Sequence, residues 1–165
     1  CNRLRTYNEG MKNREEILSS LKDFFEKNAA RYDVAAVFLF GSWATGLPRG
    51  NSDVDLAAVF SSDIDEEDVF RRITDISLNL SLLLGLEVDL IPICEDFHKP
   101  MLYYNAIVSG LPIYVGDFDK YVAVKNQAVS QMEDFSMFGL EWQTAVARRN
   151  LAGLSERQEV TETHG

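Results

Sequence analysis

The chain has 165 residues, 46% of them hydrophobic and 25% charged, and these values suit one soluble globular domain with a substantial core. Its formal net charge of −10 argues against binding nucleic acid over a wide surface, because phosphate contacts need clustered Lys and Arg. An acidic chain can still bind a nucleotide through a metal ion, which reverses the local charge balance.

The cysteine content and the apolar pattern indicate a cellular compartment. Cys1 and Cys94 are too few for a disulfide framework, so a reducing environment is expected. Glu87 and Asp89 interrupt the most apolar stretch, LSLLLGLEVDLIPI, before it reaches the length of a membrane span. We therefore expect a cytoplasmic protein with no membrane partner and no direct nucleic-acid partner.

The first half of the chain predicts a helix followed by two strands. Residues 11–29 carry apolar side chains at helical spacing, and the buried strand after them ends at Gly41. The segment SWATG then allows no more than one helical turn. A second strand, DVDLAAVF, begins at Asp53 after a turn signal at Gly50-Asn51.

The second half predicts a helix, a strand and further helices. A helix with Asp65 as its N-cap stops at Gly85. The remaining predicted segments are a strand at 86–93, a helix at 99–109, a short extended piece at 112–115, helices at 119–135 and 137–151, and a disordered tail at 155–165. The pattern is that of an α/β protein, and we expect a single domain over residues 1–165 with its core at about residues 11–140.

Three aspartates are predicted to meet at one end of the sheet. The second strand, the helix and the third strand form a βαβ unit, so Asp53, Asp55 and Asp89 should lie at the same ends of parallel strands. The short connection makes the first two strands antiparallel, which brings Gly41 and Ser42 to that end. Because side chains alternate along a strand, Asp53 and Asp55 point to one face.

This arrangement indicates phosphoryl chemistry. Crowded carboxylates need a compensating cation, and an oxygen-only ligand set suits Mg²⁺, which binds one or two carboxylates together with waters and substrate phosphates. Two such ions can activate an attacking oxygen and stabilise a leaving oxygen at phosphorus. A glycine lets the backbone approach a phosphate, and the serine after it offers a hydroxyl and an N–H group. The sequence therefore predicts nucleotidyl transfer.

At these residues the chain resembles a known family. The stretch GSWATGLPRGNSDVD is similar to the pattern Gly-Ser, ten residues, Asp-x-Asp of the DNA polymerase beta nucleotidyltransferase superfamily, and EVDLIPI resembles the strand that carries its third carboxylate. The small size and the C-terminal pattern most resemble the minimal nucleotidyltransferase (MNT) antitoxins of HEPN/MNT toxin–antitoxin systems, over roughly residues 14–140. The implied fold is a small mixed sheet flanked by helices.

The resemblance also implies roles for single residues. Asp53 and Asp55 would bind the Mg²⁺ ions, expected to be two, and Asp89 would complete the metal site and act as general base, so that all three are catalytic. Gly41 and Ser42 would hold the triphosphate of ATP.

The chain departs from the family pattern in one place. Many relatives read Gly-Ser-x-Ala-Arg-Gly, whereas this chain has Thr45 at the arginine position, and Arg49 is then the candidate that contacts the phosphates instead. Trp43, directly after Gly-Ser, is interpreted as an apolar plug, with stacking on the nucleotide as the alternative.

MNT antitoxins pair with a HEPN-family ribonuclease toxin. The implied function is transfer of AMP from ATP to a tyrosine hydroxyl of that toxin, which neutralises it, with a hetero-oligomer of the two proteins as a further expectation. Two alternatives stay open: a small-molecule nucleotidyltransferase of the aminoglycoside-modifying type, and a catalytically weak antitoxin that acts by binding alone.

Overall fold

The computed structural model of the chain describes residues 13–48, 52–94 and 99–162. Strands and helices alternate along these residues as the sequence predicts for an α/β protein. Their order is α1 (Arg14–Tyr32), β1 (Val34–Phe40), α2 (Gly41–Thr45), β2 (Val54–Phe60), α3 (Glu66–Leu84), β3 (Val88–Pro92), α4 (Pro100–Ile107), β4 (Leu111–Val115) and α5 (Phe118–Glu162).

The strands form one mixed sheet in the order β3-β2-β1-β4. Strand β1 is antiparallel to both β2 and β4, and β2 is parallel to β3. The predicted directions of the first three strands are therefore confirmed. Strand β4, predicted only as a short extended piece, pairs with β1 at the edge of the sheet.

Both faces of the sheet are covered, which explains why β1 is apolar along its whole length. Val37 and Leu39 point to a cluster formed with α1 and α3. Phe38 points to the opposite cluster, which contains Ala57 of β2 together with residues of α4 and of the first part of α5. Alternate residues of β1 and β2 thus belong to different faces, and this alternation decides where the polar residues at the strand ends point.

Local capping signals set the ends of the two long helices in front of β1 and β3. The side chain of Asn13 caps α1, and Glu16 completes a capping box there. Asp65 caps α3 by accepting a hydrogen bond from the backbone N–H of Asp68, and α3 ends at Gly85 in the left-handed conformation. The predicted N-cap and stop of α3 are both confirmed.

The chain divides into two compact units, residues 1–129 and 130–165. The first contains the sheet, α1 to α4 and the beginning of α5, and the second contains the rest of α5. Two separate helices and a disordered tail were predicted here, and that prediction is wrong as far as Glu162, because α5 is one continuous helix. Its sequence contains no proline that would break it, and good helix formers dominate. A single domain over residues 1–165 stays a prediction.

No helix within the described residues is both long and apolar enough to cross a membrane. Arg49, the predicted phosphate contact, and the predicted turn at Gly50-Asn51 lie outside the described residues.

Candidate active site

Two neighbouring strands bring two of the predicted carboxylates together. Asp55 of β2 and Asp89 of β3 are direct partners in the parallel ladder, so their backbones are about 4.8 Å apart. Asp55 also lies opposite Phe40, the last residue of β1. Since Ala57 and Ile91, two residues further along each strand, pack on the α4 side of the sheet, Asp55 and Asp89 point to that same side.

The three aspartates interact electrostatically, with Asp55 at the centre. Asp53 directly precedes β2 and is exposed, as is Asp89, whereas Asp55 is half-buried. Burial raises the pKa of the Asp55 carboxyl, and the negative charges of Asp89 and Asp53 raise that pKa further. The site is therefore a group of like charges that a cation would stabilise.

The first residue of α2 lies against Asp55. Gly41 has a φ of +68°, and a Cβ atom built on it would be 2.2 Å from Oδ2 of Asp55. Only glycine both accepts this conformation without strain and leaves space for the carboxylate. The backbone of the Gly41–Ser42 turn is thereby placed directly beside the acidic group.

Helix α2 closes tightly behind this turn. The carbonyl oxygen of Ser42 accepts hydrogen bonds from the Thr45 hydroxyl at 3.0 Å, from the N–H of Gly46 and from the N–H of Leu47 at 3.1 Å. Thr45, the residue predicted to depart from the family pattern, thus directs its hydroxyl to the backbone of its own helix. Gly46 ends α2 with a φ of +79°.

Trp43 connects α2 to the chain just before the aspartate pair. It is only 5% exposed and packs in the cluster under α1 and α3. Its indole N–H donates a hydrogen bond to the backbone carbonyl of Ser52 at 3.0 Å. Trp43 is therefore the buried plug that the sequence predicts, and it also fixes the segment that leads into Asp53.

Arg14 is a contact that the sequence analysis missed. Its Nε donates to the carbonyl of Trp43 at 2.9 Å, and its Nη2 donates to the carbonyl of Ala44 at 3.1 Å. The sequence signal was its place in the first turn of the helix predicted at residues 11–29, because a positive charge at a helix N-terminus opposes the helix dipole. Such a residue is expected to have a partner elsewhere in the fold.

The donor set at this end of the sheet consists of carboxylate oxygens, which suit hard cations such as Mg²⁺. Among the residues that the structure describes, no group of three or more His, Cys, Asp or Glu side chains is close enough together to hold a metal ion by itself. The two observations are compatible, because Mg²⁺ needs only one or two carboxylates when substrate phosphates and waters supply its other ligands. Two of the predicted ligands Asp53, Asp55 and Asp89 would then be enough to hold such an ion.

This combination of a mixed sheet, a Gly-Ser turn and aspartates on neighbouring parallel strands defines a nucleotidyltransferase. Residues 17–112 match the family model of the nucleotidyltransferase domain, and the chain belongs to that family. The predicted superfamily is thereby confirmed, and the protein is a nucleotidyltransferase enzyme.

One curated relative and several solved structures narrow the comparison. The chain is 31% identical over 102 residues to a candidate protein adenylyltransferase of Methanocaldococcus jannaschii, covering 59% of this chain and 97% of the relative. A toxin–antitoxin structure with AMP-PNP has a TM-score of 0.57 at 18% identity and covers 70% of this chain and 90% of its own. A complex of tri-AMPylated Shewanella oneidensis HEPN toxin with MNT antitoxin has a TM-score of 0.53 at 15% identity and covers 73% and 90%. At these identities the two structures show a shared fold.

Proposed function

We propose that the chain is a Mg²⁺-dependent protein adenylyltransferase that transfers AMP from ATP to a tyrosine hydroxyl of a HEPN-family ribonuclease toxin in the cytoplasm, and so acts as its antitoxin. The pairing of Asp55 with Asp89 beside the Gly41–Ser42 turn carries this proposal. The relative named as a protein adenylyltransferase supports the choice of a protein acceptor. The AMPylated HEPN toxin in a structure of the same fold supports the choice of toxin.

The residues of the site have distinct tasks in this reaction. Gly41 and Ser42 contact the triphosphate through the backbone, where the absence of a Cβ atom permits a close approach. Asp53 and Asp55 would hold Mg²⁺, which when bound would supply the positive charge that offsets the phosphates. Asp89 completes the ligand set and accepts the proton of the tyrosine hydroxyl.

The bond changes in this transfer balance. The tyrosine oxygen forms a bond to the α-phosphorus of ATP, the bond from that phosphorus to the pyrophosphate oxygen breaks, and pyrophosphate leaves. The proton of the hydroxyl goes to Asp89, an exposed carboxylate that can return it to water. The products are an AMP-tyrosine phosphodiester and pyrophosphate.

The residues on the outer face of α3 support the proposal that the chain binds a protein partner. Its core face buries Ile76 and Leu80, yet Phe70, Leu78 and Leu82 on the other side are 71%, 58% and 76% exposed. Exposed apolar side chains that lie near one another on a helix often mark a protein-binding surface, and here they lie among charged residues of the same face. A shallow, open depression lies on this outer face, away from the candidate active site, and is lined by Glu67, Asp68, Phe70, Arg71, Thr74, Asp75 and Leu78.

The experiment is a transfer assay with ATP labelled on the α-phosphate, Mg²⁺ and the purified HEPN toxin encoded next to this chain. We expect the label on the toxin with the wild-type chain, and none with the double variant Asp53→Asn/Asp55→Asn or in the presence of EDTA. Asp63→Asn is the matched control, because Asp63 is an exposed aspartate beyond the opposite end of β2. It should label the toxin at the wild-type rate.

Two outcomes would overturn the proposal in different ways. If the double variant neutralises the toxin as well as the wild-type chain does, the antitoxin acts by binding alone. A parallel reaction offers an aminoglycoside as acceptor; if that compound is labelled and the toxin is not, the chain is a small-molecule nucleotidyltransferase.

A further inference from the structure

Arg14 joins the start of α1 to the end of α2 across 29 and 30 residues of sequence. Its guanidinium makes two hydrogen bonds, to the carbonyl oxygens of Trp43 and Ala44. It also lies along Gly46, because a Cβ atom built on that glycine would be 3.9 Å from Nε of Arg14. One half-buried arginine thus covers the C-terminal end of α2.

Because α2 is very short, a contact at its C-terminal end also affects its N-terminal end, where the Gly41–Ser42 turn lies. A helix of five residues is about 7.5 Å long, so its two ends respond to the same nearby charges. The terminal carbonyls carry partial negative charge, and none of residues 41–45 is charged. The guanidinium of Arg14 supplies the positive charge that offsets these carbonyls.

An arginine at position 14 is unfavourable for the stability of α1, and its contact with α2 explains why an arginine is found there. In the first turn of α1 a positive charge is unfavourable, and that turn otherwise carries Glu15 and Glu16, which suit the helix dipole. A neutral helix former would stabilise α1 better at this place. The guanidinium is well suited to the opposite task, because it presents several N–H donors in a fixed plane to two adjacent carbonyls.

We propose that Arg14 is a positioning residue of the nucleotide site. By holding the end of α2 it keeps the Gly41–Ser42 turn against Asp55, and so sets the affinity for the nucleoside triphosphate. The inference rests on the proposed function in one respect, namely that this turn contacts the phosphates. Arg14 itself acts through α2 and not through contact with the reacting atoms.

The test compares Arg14→Ala with Arg72→Ala. Arg72 is also half-buried and also donates to a backbone carbonyl, that of Tyr32 at 2.8 Å, but it does so at the opposite end of β1. Affinity for AMP-PNP is measured by calorimetry, KM for ATP and kcat by toxin labelling, and stability by thermal unfolding. Arg14→Lys is included because lysine keeps the charge and loses the planar pair of donors.

We expect Arg14→Ala to raise KM and the Kd of AMP-PNP about tenfold, because two charge-assisted hydrogen bonds are lost, while kcat changes less than threefold. Arg14→Lys should lie between wild type and Arg14→Ala. Arg72→Ala should lower the unfolding temperature and leave KM unchanged.

Equal nucleotide affinities of Arg14→Ala and Arg72→Ala would overturn the inference. If Arg14→Ala does not fold, Arg14→Lys decides, and a wild-type KM in that folded variant overturns it as well. Failure of the wild-type chain to bind AMP-PNP would instead remove the proposed function, and with it the basis for this role of Arg14.

Discussion

Replacing Gly41 with alanine tests whether the close approach of α2 to Asp55 serves the reaction. The new Cβ atom would be 2.2 Å from Oδ2 of Asp55 and 3.1 Å from its Cγ. Since Cβ atoms essentially never come within 3.0 Å of another heavy atom, the carboxylate has to move by about 0.8 Å, from 2.2 to at least 3.0 Å. The clash is with the end of a side chain, so the fold can accommodate it, but the aspartate loses its position.

Two magnitudes follow from this geometry. Alanine in the left-handed region costs about 1–2 kcal/mol, and the reduced freedom of the unfolded chain returns part of this, so the net loss of stability is about 1 kcal/mol. For a chain of this size that corresponds to about 2–4 °C in Tm. A misplacement of a catalytic group on this scale costs about 100-fold in rate. The loss of AMP transfer should therefore far exceed the loss of stability.

Gly85→Ala is the matched control for the backbone strain. Gly85 has the same φ of +68°, and a Cβ atom built there meets nothing within 4 Å. Both variants should lose a similar amount of stability in urea unfolding, while only Gly41→Ala should lose AMP transfer to the toxin. If Gly41→Ala transfers AMP within about threefold of the Gly85→Ala rate, well short of the expected 100-fold, the reasoning from the Asp55 contact is refuted.

Three further predictions concern charge and hydrogen bonding around the sheet. Because the pKa of Asp55 is raised in the fold, its ionised form opposes folding at neutral pH, and this penalty disappears as acidification protonates the carboxyl. Asp55→Asn should therefore abolish transfer and make the chain more stable at pH 7, and the gain in stability should shrink as the pH falls. Equal or lower stability of that variant at pH 7 would contradict the charge repulsion. Trp43→Phe removes the hydrogen bond to Ser52 and should cost about 1 kcal/mol in urea unfolding together with part of the transfer rate, and unchanged unfolding would show that the bond contributes nothing. Tyr32→Phe removes a 2.6 Å hydrogen bond to Asp75 at the far end of β1 and should cost about 1 kcal/mol with an unchanged rate, so a slower reaction would show that this end of the sheet affects the site.

Several features of the fold follow from local patterns that are readable without coordinates. The start and stop of α3 follow from Asp65 and Gly85, because an N-cap side chain and a left-handed C-cap are properties of a few neighbouring residues. The meeting of Asp55 with Asp89 follows from the right-handed βαβ rule and from strand alternation. The continuity of α5 could not be predicted in this way. Its apolar residues do not keep one regular helical spacing along the whole segment, although good helix formers occur throughout it.

The sequence by itself thus determined the order of the elements from α1 to β3, the strand directions of the βαβ unit and the convergence of the aspartates with Gly41, because each depends on periodicity, capping or chain connectivity. Only the tertiary structure decided that Arg14 holds the end of α2, that the indole of Trp43 binds the carbonyl of Ser52, and that the Gly41 backbone lies against the Asp55 carboxylate. The first of these contacts crosses some thirty residues of chain, and all three depend on how helices and loops pack on the sheet. The periodicity of the sequence gives no information about such packing, because these contacts form only when the whole core assembles.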